Sequence, residues 1–393
     1  MQDKNQEPEL FERALEKLRS YVEAEQFKGY DPYDTLNSFM GFKHFGKLIP
    51  VLAIQFQKRN PVNIRPLLGI KKAHNPKALG LFLYSYCKLQ QNFTGRDYSK
   101  QINFLFDQLK NNYSRGFSGY CWGYNFDWAS SGKYIRAYSP NIVVTSFIAR
   151  GIFAYYNLTK DQQAKDILIS IRDFILKDLP LTETADGICF SYTTLGKDCC
   201  YNASLLAAQT LSEVYAITGE QELLDKCRKA IDFVIARQFP DGRWNYSLDP
   251  GTGQERAQID FHQGYVIDCI KHILQNTGLK EAKYLEAIKK GTEYYFREQF
   301  FPSGQSKWRL PKIYPVEIHN QSQGVITFCH SEAHRDFAAV VAQWTIENMQ
   351  SPRGYFYYRK LKNYTNKIPY MRWSQAWMFT ALTELILSLK TRN

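Results

Sequence analysis

The chain lacks the features that mark a membrane-spanning or exported protein. Its 393 residues contain no uninterrupted apolar run of the roughly 18–20 residues that a membrane-spanning helix needs. Residues 48–56 are apolar but too few, and Arg150 interrupts residues 142–156. The first residues, MQDKNQEPELFERALEKL, have neither the basic region nor the apolar core of a signal peptide. We therefore predict a cytoplasmic protein, with peripheral contact to the inner membrane as a further expectation.

Cysteine and linker-like segments are also scarce. The chain has 8 cysteines and no C-x-x-C pair, which is too few for a disulfide-stapled scaffold and favours buried, reduced thiols. Hydrophobic residues make up 44% of the chain and charged residues 22%, so it can bury a large core and is not disordered. Since no Pro/Ser-rich linker divides it, we predict one domain over residues 1–393.

Acidic residues are missing from one long stretch. Residues 35–96 contain ten Lys or Arg and no Asp or Glu, and residues 351–393 contain eight Lys or Arg against one acid, Glu384. A basic surface of this kind attracts acidic polysaccharide, anionic lipid headgroups or nucleic acid, although it can also be a solvated face without a partner. The sequence has no RNA-binding or helix-turn-helix signature, so no specific nucleic-acid partner is predicted.

What the sequence does contain is a repeat. Each unit has a Gly-turn, an aromatic stretch, a loop, an apolar helix and a more charged helix. The turn stretches are residues 119–126, 186–195, 241–249, 303–310 and 353–361, and the following helices begin near Pro140, Tyr201, Gln258, His319 and Tyr370. This regular spacing is typical of repeat architectures.

The helices of each unit differ in how apolar they are. Residues 201–219 are apolar or small on nearly every side, which predicts a buried helix ending at Gly219. Residues 220–238 have one apolar stripe opposite charged residues, which predicts a helix that faces solvent. We count about thirteen helices, including one over residues 36–57 and a last one over 372–390. This alternation predicts an all-α (α/α)6 toroid of six hairpins plus one terminal helix, with an open α-solenoid as the alternative.

A closed toroid would gather the long connections at one end. All inner helices then run in one direction, so the loops before them meet around a cup of aromatic side chains and helix N-termini, which favour anions and sugar rings. The aromatic residues that we predict to bind substrate there are Trp122, Tyr124, Trp128, Tyr138, Trp244, Tyr246 and Trp308. Packing of hairpin ends by Gly-x-Trp turns is the alternative role for about half of the aromatic residues in these connections.

Three segments resemble a known superfamily. RQFPDGRWNYS (237–247) resembles the repeats of six-hairpin glycosidase-like proteins. GYDPYDTLNS (29–38) and IDFHQGYVIDCI (259–270) are similar to toroidal proteins encoded with bacterial capsule and exopolysaccharide biosynthesis enzymes. The resemblance implies a toroid that acts on or binds carbohydrate; hydrolases, uronate lyases, epimerases and members without assigned chemistry are all found in this superfamily.

Another toroid shares part of the motif. Gln238, Gly242 and Trp244 match the Q-x-x-x-G-x-W repeat of terpenoid cyclases. Terpene chemistry needs an acidic D-x-D-D or D-D-x-x-D motif, and the sequence has neither. The terpenoid cyclase-like reading is therefore a minor alternative.

Four residues in the predicted cup carry candidate acid–base chemistry. Asp260 and His262 stand at the start of a buried helix, Asp127 lies between aromatics in an earlier loop, and His319 begins another inner helix. Glycoside hydrolysis needs two carboxyl groups, whereas uronate elimination or epimerisation needs a base such as His and a cation for the substrate carboxylate. Helix capping or turn formation is the alternative role for both aspartates.

Arg372 and Trp373 occupy the same place in the last repeat. Arg372 could bind a uronate or phosphate through two hydrogen bonds, or it could pair with one structural acid. Asp31 and Asp34 in GYDPYD are explained equally well by a Pro-containing turn.

Metal and cofactor motifs are weak or absent. His330 and His334 lie at i and i+4, but the order H-x-E-x-H directs Glu332 away from them, so a polar helix-turn contact is favoured over zinc. The sequence has no phosphate-binding loop, dinucleotide fingerprint or serine-nucleophile elbow. No metal or cofactor is predicted.

These observations together favour a carbohydrate-active protein of polysaccharide biosynthesis or processing. The predicted cup would bind an anionic glycan, as a polysaccharide or lipid-linked sugar, for a hydrolase-, lyase- or epimerase-type reaction. Contact with an anionic membrane or with polysaccharide-assembly proteins is a further expectation. The alternative is a non-catalytic toroid that binds glycan or a partner of the assembly machinery, with aromatics and Arg in the cup but no convergent acid–base pair.

Overall fold

A computed structural model describes residues 6–93, 95–130 and 134–390. Over these residues the chain forms thirteen α-helices joined by loops with short strands. The helices are α1 Gln6–Ala24, α2 Leu48–Arg59, α3 Pro76–Asn92, α4 Ser99–Asn111, α5 Ile142–Thr159, α6 Gln162–Lys177, α7 Tyr201–Thr218, α8 Gln221–Ile235, α9 His262–Thr277, α10 Ala282–Gln299, α11 Ile318–Cys329, α12 Arg335–Met349 and α13 Trp377–Lys390.

The helices close into a ring of six inner and six outer members, which confirms the predicted (α/α)6 toroid. The inner helices α3, α5, α7, α9, α11 and α13 pack against one another in that order, and α13 returns to pack against α3. The outer helices follow as α4, α6, α8, α10 and α12, and α1 packs against α13 and α12 to complete the outer layer. The direct contact between the last and the first inner helix excludes an open solenoid.

The prediction about the extra helix is wrong. The N-terminal helix α1 is the outer partner of α13, and the additional helix is α2, in the connection between α1 and α3. The continuous helix predicted over 36–57 is broken as well. Gly41 and Gly46 adopt left-handed backbone conformations, with φ of 62° and 66°, on either side of a short helical turn at Phe42–His44 that precedes α2.

Burial follows the difference in amphipathicity between paired helices. Nearly all of α7 is buried, whereas α8 buries one stripe that includes Leu223, Cys227 and Ile231. Gly219 ends α7 in the left-handed conformation, with φ of 72°. Helix α5 is long and apolar enough to cross a membrane by length and composition, and here it is a largely buried inner helix of the ring. All eight cysteines are buried free thiols.

Short strands occur only in the connections, within the described part of the chain. They are β1 Trp128–Ala129, β2 Tyr134–Ile135, β3 Leu181–Thr184, β4 Gly187–Phe190, β5 Cys199–Cys200, β6 Ser247–Leu248, β7 Glu255–Arg256, β8 Val316–Glu317, β9 Arg359–Lys360 and β10 Thr365–Asn366. All pairings are antiparallel, in the orders β1-β2, β3-β4, β5-β6-β7 and β10-β9-β8.

The six connections that lead from outer to inner helices are tied together around one end of the ring. Pairing or hydrogen bonding joins Asn75 to Asn125, Asn141 to Thr193, Cys200 to Ser247, Ile259 to Leu310, Glu317 to Arg359 and Tyr30 to Met371. The last of these links brings the sixth connection back to the first. The loops before the inner helices therefore surround a single opening, as the toroid predicts.

The Gly-turn of each repeat packs the connection closely against the next outer helix. A Cβ atom at Gly242 would lie 2.3 Å from the Lys290 carbonyl oxygen of α10. A Cβ atom at Gly354 would lie 2.3 Å from the Lys17 carbonyl oxygen of α1. Both glycines have positive φ, 99° and 95°. The contact at Gly354 joins the last repeat to the first outer helix, so it is part of ring closure.

Candidate functional site

An Asp–His pair lies at the start of inner helix α9. The Nδ1 of His262 is 2.5 Å from Oδ1 of Asp260, and Gln258 Nε2 donates to Oδ2 of the same carboxylate at 2.8 Å. Burial opposes ionisation of Asp260, but its contact with His262 and the charge of Arg309 outweigh burial and lower the pKa of this carboxyl. An ionised Asp260 accepts the Nδ1 proton, which leaves Nε2 of neutral His262 with its lone pair available as a base.

The second histidine, His319, is in the first turn of α11 and is 1% exposed. Its Nε2 lies 2.8 Å from the Tyr265 hydroxyl, and its Nδ1 has no hydrogen-bond partner among the described residues. Burial, and then the positive charges of Lys77 and Arg372, lower the pKa of His319 well below its ordinary value. His319 is therefore a neutral imidazole with one unsatisfied ring nitrogen.

A phenyl ring connects the two histidines. Phe261 stacks with His262 at a ring-centroid distance of 4.1 Å and with His319 at 4.2 Å. The two imidazole centres are therefore within about 8 Å of each other. The Phe261 ring lies between the two imidazoles.

Lys77 contributes a buried amine to the same place. It follows Pro76 in the first turn of α3, is 3% exposed, and its Nζ lies 4.2 Å from the ring centre of Phe147, 5.1 Å from Trp377 and 5.8 Å from Tyr265. Burial in this aromatic cage, with a smaller contribution from the Arg372 charge, lowers the pKa of Lys77 well below its ordinary value. A buried lysine with a lowered pKa is a common feature of active sites.

We use the term cup for the cluster of side chains formed by Lys77, His262, Tyr265, His319 and Trp377. These side chains come from the N-terminal turns of α3, α9, α11 and α13, and the rings of Tyr265 and Trp377 stack at 5.6 Å. Lys77, His319 and Trp377 form the buried part of the cup, since each is no more than 3% exposed. The His262 side chain is 18% exposed, so solvent reaches the cup at that side.

Arg372 and Trp373 lie in a wide π-helical turn, Met371–Ala376, that leads into α13. The Arg372 guanidinium donates to both carboxylate oxygens of Asp31, at 2.6 and 2.8 Å, and lies over the Tyr124 ring. Of the two roles that the sequence left open for Arg372, the structure shows the ion pair with a structural acid. Trp373 packs edge-on against His319 and donates from Nε1 to Glu317 at 2.7 Å.

Asp34, the neighbouring acid of the GYDPYD segment, is also used structurally. It accepts hydrogen bonds from the Asp31 amide and from Arg65 Nε, both near 2.8 Å and all buried. Arg65 in turn donates to the Tyr370 hydroxyl. The turn therefore anchors the first connection to the last.

The rim of the cup carries cations stacked on aromatic rings. Arg309 lies over Trp308 with its Nε 3.5 Å from Asp260, and Arg256 lies over Tyr246. Lys58 of α2 lies over the Tyr33 ring and bonds its hydroxyl. The Tyr246 ring contacts His262 at 4.8 Å. These cations could receive a negatively charged group at the mouth of the cup.

Of the thirteen residues predicted from the sequence, seven converge at the cup. They are Asp260, His262, His319, Tyr124, Tyr246, Arg372 and Trp373, connected by the contacts above. Trp308 adjoins them through Arg309 at the rim.

Asp127, Trp128 and Tyr138 belong to the loop around the β1–β2 hairpin. Asp127 accepts from the Tyr134 hydroxyl at 2.6 Å and from the Ala137 amide at 2.7 Å, so it organises the loop. Tyr138 is 54% exposed and has a positive φ of 61°. None of these three contacts the Asp260–His262 pair or His319 in the described structure, so the hypothesis that Asp127 is a second catalytic carboxylate gains no support from geometry.

Trp122 and Trp244 require a correction. Both are 0% exposed and pack between inner and outer helices, donating from Nε1 to the carbonyls of Leu109 and Val234 near the ends of α4 and α8. They are the packing Trp residues of their Gly-turns and have no surface to offer a substrate. The Gln238 side chain bonds the Gly242 and Ala287 carbonyls, so the cyclase-like motif is explained by the same packing.

Lys77, Tyr265, Phe261 and Trp377 were missed by the sequence analysis. A signal existed for Lys77, since it is one charged residue inside the otherwise apolar start of α3, where charges are rare unless they are paired or functional. The aromatic residues had no distinguishing signal, because they fit a buried helix face equally well.

The two histidines considered for metal binding are separated. His330 Nε2 pairs with Glu384 at 3.0 Å, and His334 Nε2 pairs with Glu293 at 3.3 Å. Over the described residues no group of three or more His, Cys, Asp or Glu side chains could hold a metal ion. Both histidines lie after α11 ends, at the opposite end of the ring from the cup.

Comparison with known proteins places the fold among carbohydrate enzymes. The cellobiose 2-epimerase from Bacillus thermoamylovorans aligns with a TM-score of 0.63 and 14% identity, over 81% of this chain and 88% of that one. A sugar epimerase from a ruminal bacterium gives 0.65 and 14%, over 81% and 90%. A GH76 α-mannanase from Bacteroides thetaiotaomicron gives 0.61 and 12%, over 83% and 90%.

These structures are (α/α)6 toroids of the six-hairpin glycosidase superfamily, and this chain has the same fold. The toroidal fold that the sequence resemblance implied is confirmed. No protein-family model matches the sequence, and no curated protein sequence matches it. Because the identities are so low, the site itself must carry any argument about function.

Proposed function

We propose that the cup binds a sugar and catalyses an acid–base reaction on it, of the epimerase or isomerase type, in polysaccharide biosynthesis or processing. The observation that carries the proposal is that the Asp260–His262 pair and His319 lie together in the cup. His319 is a neutral imidazole whose Nδ1 has no hydrogen-bond partner among the described residues. The epimerases among the structural neighbours show that this fold can accommodate such chemistry.

The proposed reaction uses proton transfers alone. His262 Nε2 removes a proton from the carbon next to the carbonyl of an open-chain sugar, and Asp260 stabilises the imidazolium that forms. The electron pair of the broken C–H bond forms an enolate, whose oxygen faces the donors of the cup. The His262 imidazolium then returns its proton. Return to the opposite face of the same carbon, after the enolate has turned that face toward His262, gives the epimer. Return to the neighbouring carbon, after a proton shift between the two oxygens, gives the ketose.

His319 and Lys77 suit the donor role. If the Tyr265 hydroxyl donates to Nε2 of His319, the ring proton is on Nδ1, the atom without a partner. The Lys77 amine, caged by three aromatic rings, is close to the same Tyr265 and can donate a hydrogen bond to the enolate oxygen. A low dielectric strengthens both interactions.

The carboxylates favour this reading over two-carboxylate glycoside hydrolysis. Asp31 is held by Arg372, and Glu317 by Arg359 at 2.7 Å, so neither is available as a proton donor to a leaving group. Asp260 has a lowered pKa, whereas a general acid in a glycosidase needs a raised one.

An anionic substrate is supported by the charge at the mouth. Lys58, Arg256 and Arg309 lie at the rim, and the Nε of Arg309 is 3.5 Å from the Asp260 carboxylate. A uronate carboxylate or a glycosyl phosphate could pair with these side chains while the sugar ring stacks on Trp373 or Tyr246.

The test is proton exchange from carbon. The protein is incubated in D2O with a panel of reducing aldoses, 2-acetamido sugars and uronic acids, and ¹H NMR follows loss of the C2–H signal. We expect exchange with at least one sugar, reduced at least ~100-fold in His262→Asn and in His319→Asn. His334→Asn, at the opposite end of the ring, is the matched control and should exchange normally.

The second candidate function is sugar binding without catalysis. It is favoured by the burial of Lys77, His319 and Trp377, which leaves little of these side chains accessible to a substrate. Saturable binding of a sugar without C2–H exchange would support it and would contradict the enzyme proposal. New reducing ends from an oligosaccharide, without C2–H exchange, would instead indicate hydrolysis.

A further inference from the structure

Helix α2 has its polarity reversed relative to an ordinary surface helix. Leu48, Leu52 and Phe56 are spaced four residues apart along one face and are 66%, 53% and 64% exposed. Its buried positions are Pro50, Ile54 and Gln57, and Ile54 packs in a small cluster with Leu36 and Ala129. A helix that presents its apolar stripe outward is built to contact something other than water.

The exposed apolar surface extends beyond α2. Half of the exposed large hydrophobic residues of the described chain, nine of eighteen, lie between residues 39 and 67. The residues that we call the apolar face are Phe39, Met40, Phe45, Leu48, Ile49, Leu52, Phe56, Val62 and Leu67. Single exposed hydrophobics are ordinary, but nine in 29 consecutive residues form a patch that marks an interaction surface.

Positive charge accompanies this face. Lys47 immediately precedes α2 and Arg59 ends it, both exposed, and Lys43 and Lys71 are exposed nearby. The whole stretch 35–96 contains no Asp or Glu. An apolar stripe bordered by Lys and Arg is the pattern of helices that lie in the interface of an anionic bilayer.

The other connections add amphipathic residues at the same end of the ring. Tyr134 is 42% exposed, Ile313 and Tyr314 are each 40% exposed, and Tyr364 is 47% exposed. They come from the second, fifth and sixth connections, which open on the same end as α2. Tyr side chains favour the headgroup layer of membranes. A surface spread over several connections fits an extended bilayer better than a groove for one peptide.

We propose that the apolar face docks this protein on the surface of an anionic phospholipid bilayer, with α2 lying in the headgroup layer and the mouth of the cup near the membrane. Apolar side chains supply the insertion, and Lys47, Arg59 and Lys71 supply attraction to anionic lipid. The proposal concerns a surface outside the cup, so it stands or falls independently of the proposed reaction.

The test is co-sedimentation of the full chain with vesicles. We expect binding to vesicles of phosphatidylcholine with phosphatidylglycerol, weaker binding to pure phosphatidylcholine, and weakening of the electrostatic part at about 1 M salt. Leu52→Ser with Phe56→Ser should lower the affinity at least about tenfold. Lys47→Gln and Arg59→Gln should each lower it about fivefold at low salt.

The control is Leu285→Ser with Val340→Ser, two exposed apolar residues on outer helices, 55% and 39% exposed. This pair should leave vesicle binding unchanged, and thermal melting should show that all variants are folded. Absence of vesicle binding by the folded wild type would overturn the proposal. An equal loss of vesicle binding in the control pair would also overturn it. So would a wild-type dimer that does not bind vesicles and that Leu52→Ser with Phe56→Ser dissociates.

Discussion

Asp31 and Arg372 form a two-hydrogen-bond ion pair at 2.6 and 2.8 Å between residues 341 positions apart in the chain. Both side chains are nearly fully buried, at 5% and 3% exposure. The pair joins the first connection to the turn that begins the last inner helix, beside the cup. It therefore couples ring closure to the shape of the site.

We expect Asp31→Asn to destabilise the protein by about 3 kcal/mol or more, because it leaves the buried Arg372 charge without its partner. Urea denaturation measures the change. Glu9→Gln is the control, since the Glu9–Arg13 pair is 68% and 62% exposed and should contribute less than about 0.5 kcal/mol. Equal stability of Asp31→Asn and wild type would show that Arg372 finds another partner.

The buried Lys77 side chain should lower the free energy of unfolding. Its folded-state pKa is lowered by burial, so the charged form is disfavoured in the native state at neutral pH. We expect Lys77→Met to raise the free energy of unfolding by about 1–3 kcal/mol at pH 7. The gain should shrink as the pH rises toward the unfolded-state pKa of Lys, about 10.4, where the wild-type amine loses its proton in both states.

The same substitution should abolish carbon-proton exchange if the proposed chemistry is correct. Denaturant titrations over a series of pH values, with NMR exchange on the same samples, check both effects. A Lys77→Met variant that is less stable than wild type at neutral pH would indicate that the ammonium has a favourable interaction in the cage.

The repeat made the architecture predictable. Inner helices expected to begin near Tyr201 and His319 begin at Tyr201 and Ile318, since local periodicity determines which helix is buried. Position after a Gly-turn also predicted that Asp260, His262 and His319 would share one end of the ring. By contrast, the partner of Arg372 lies at the other end of the sequence, and no local pattern connects it to Asp31.

The roles of single aromatic residues were less accessible. Trp244 and Trp373 both follow repeat signals, yet one packs between helices and the other contacts His319. Trp244 follows its Gly-turn, whereas Trp373 lies in the turn that leads into α13. For residues 36–57 the sequence predicted one helix, whereas the structure breaks it and exposes most of the large apolar residues of α2.

Glu213 provides a pH-dependent test of the interior of the ring. It is buried on α7, where Gln209 bonds one carboxylate oxygen and the other has no partner among the described residues. Burial raises its pKa to about 7, against smaller opposing effects of Gln209 and Arg150. Because the folded-state pKa exceeds the unfolded one, stability is lost as the pH rises from about 4.5 through 7.

We therefore expect Glu213→Gln, which resembles the protonated acid, to match wild type near pH 4.5 and to exceed it in unfolding free energy by about 3 kcal/mol at pH 8. Denaturation in urea across this range measures the difference between the two proteins. A difference that does not change with pH would mean that Glu213 keeps an ordinary pKa in the folded protein.

Gly354 tests how the ring closes. Its φ is 95°, and a Cβ atom there would lie 2.3 Å from the Lys17 carbonyl oxygen of α1. Gly219 also has a positive φ, 72°, but a Cβ atom there meets nothing within 4 Å. Substitution of either glycine by alanine introduces backbone strain. Only substitution of Gly354 also disturbs the close contact between the last repeat and the first outer helix.

We expect Gly219→Ala to cost about 1 kcal/mol, the strain of a left-handed alanine. Gly354→Ala should cost at least about 2 kcal/mol more, because either the turn or α1 must move to relieve the overlap. Thermal and urea denaturation compare the two, and hydrogen exchange should show loss of protection in α1 for Gly354→Ala only. If the two alanine variants lose equal stability and α1 keeps its protection, then α1 is not held to the last repeat by this contact, and closure of the outer layer must depend on its packing against α13 and α12.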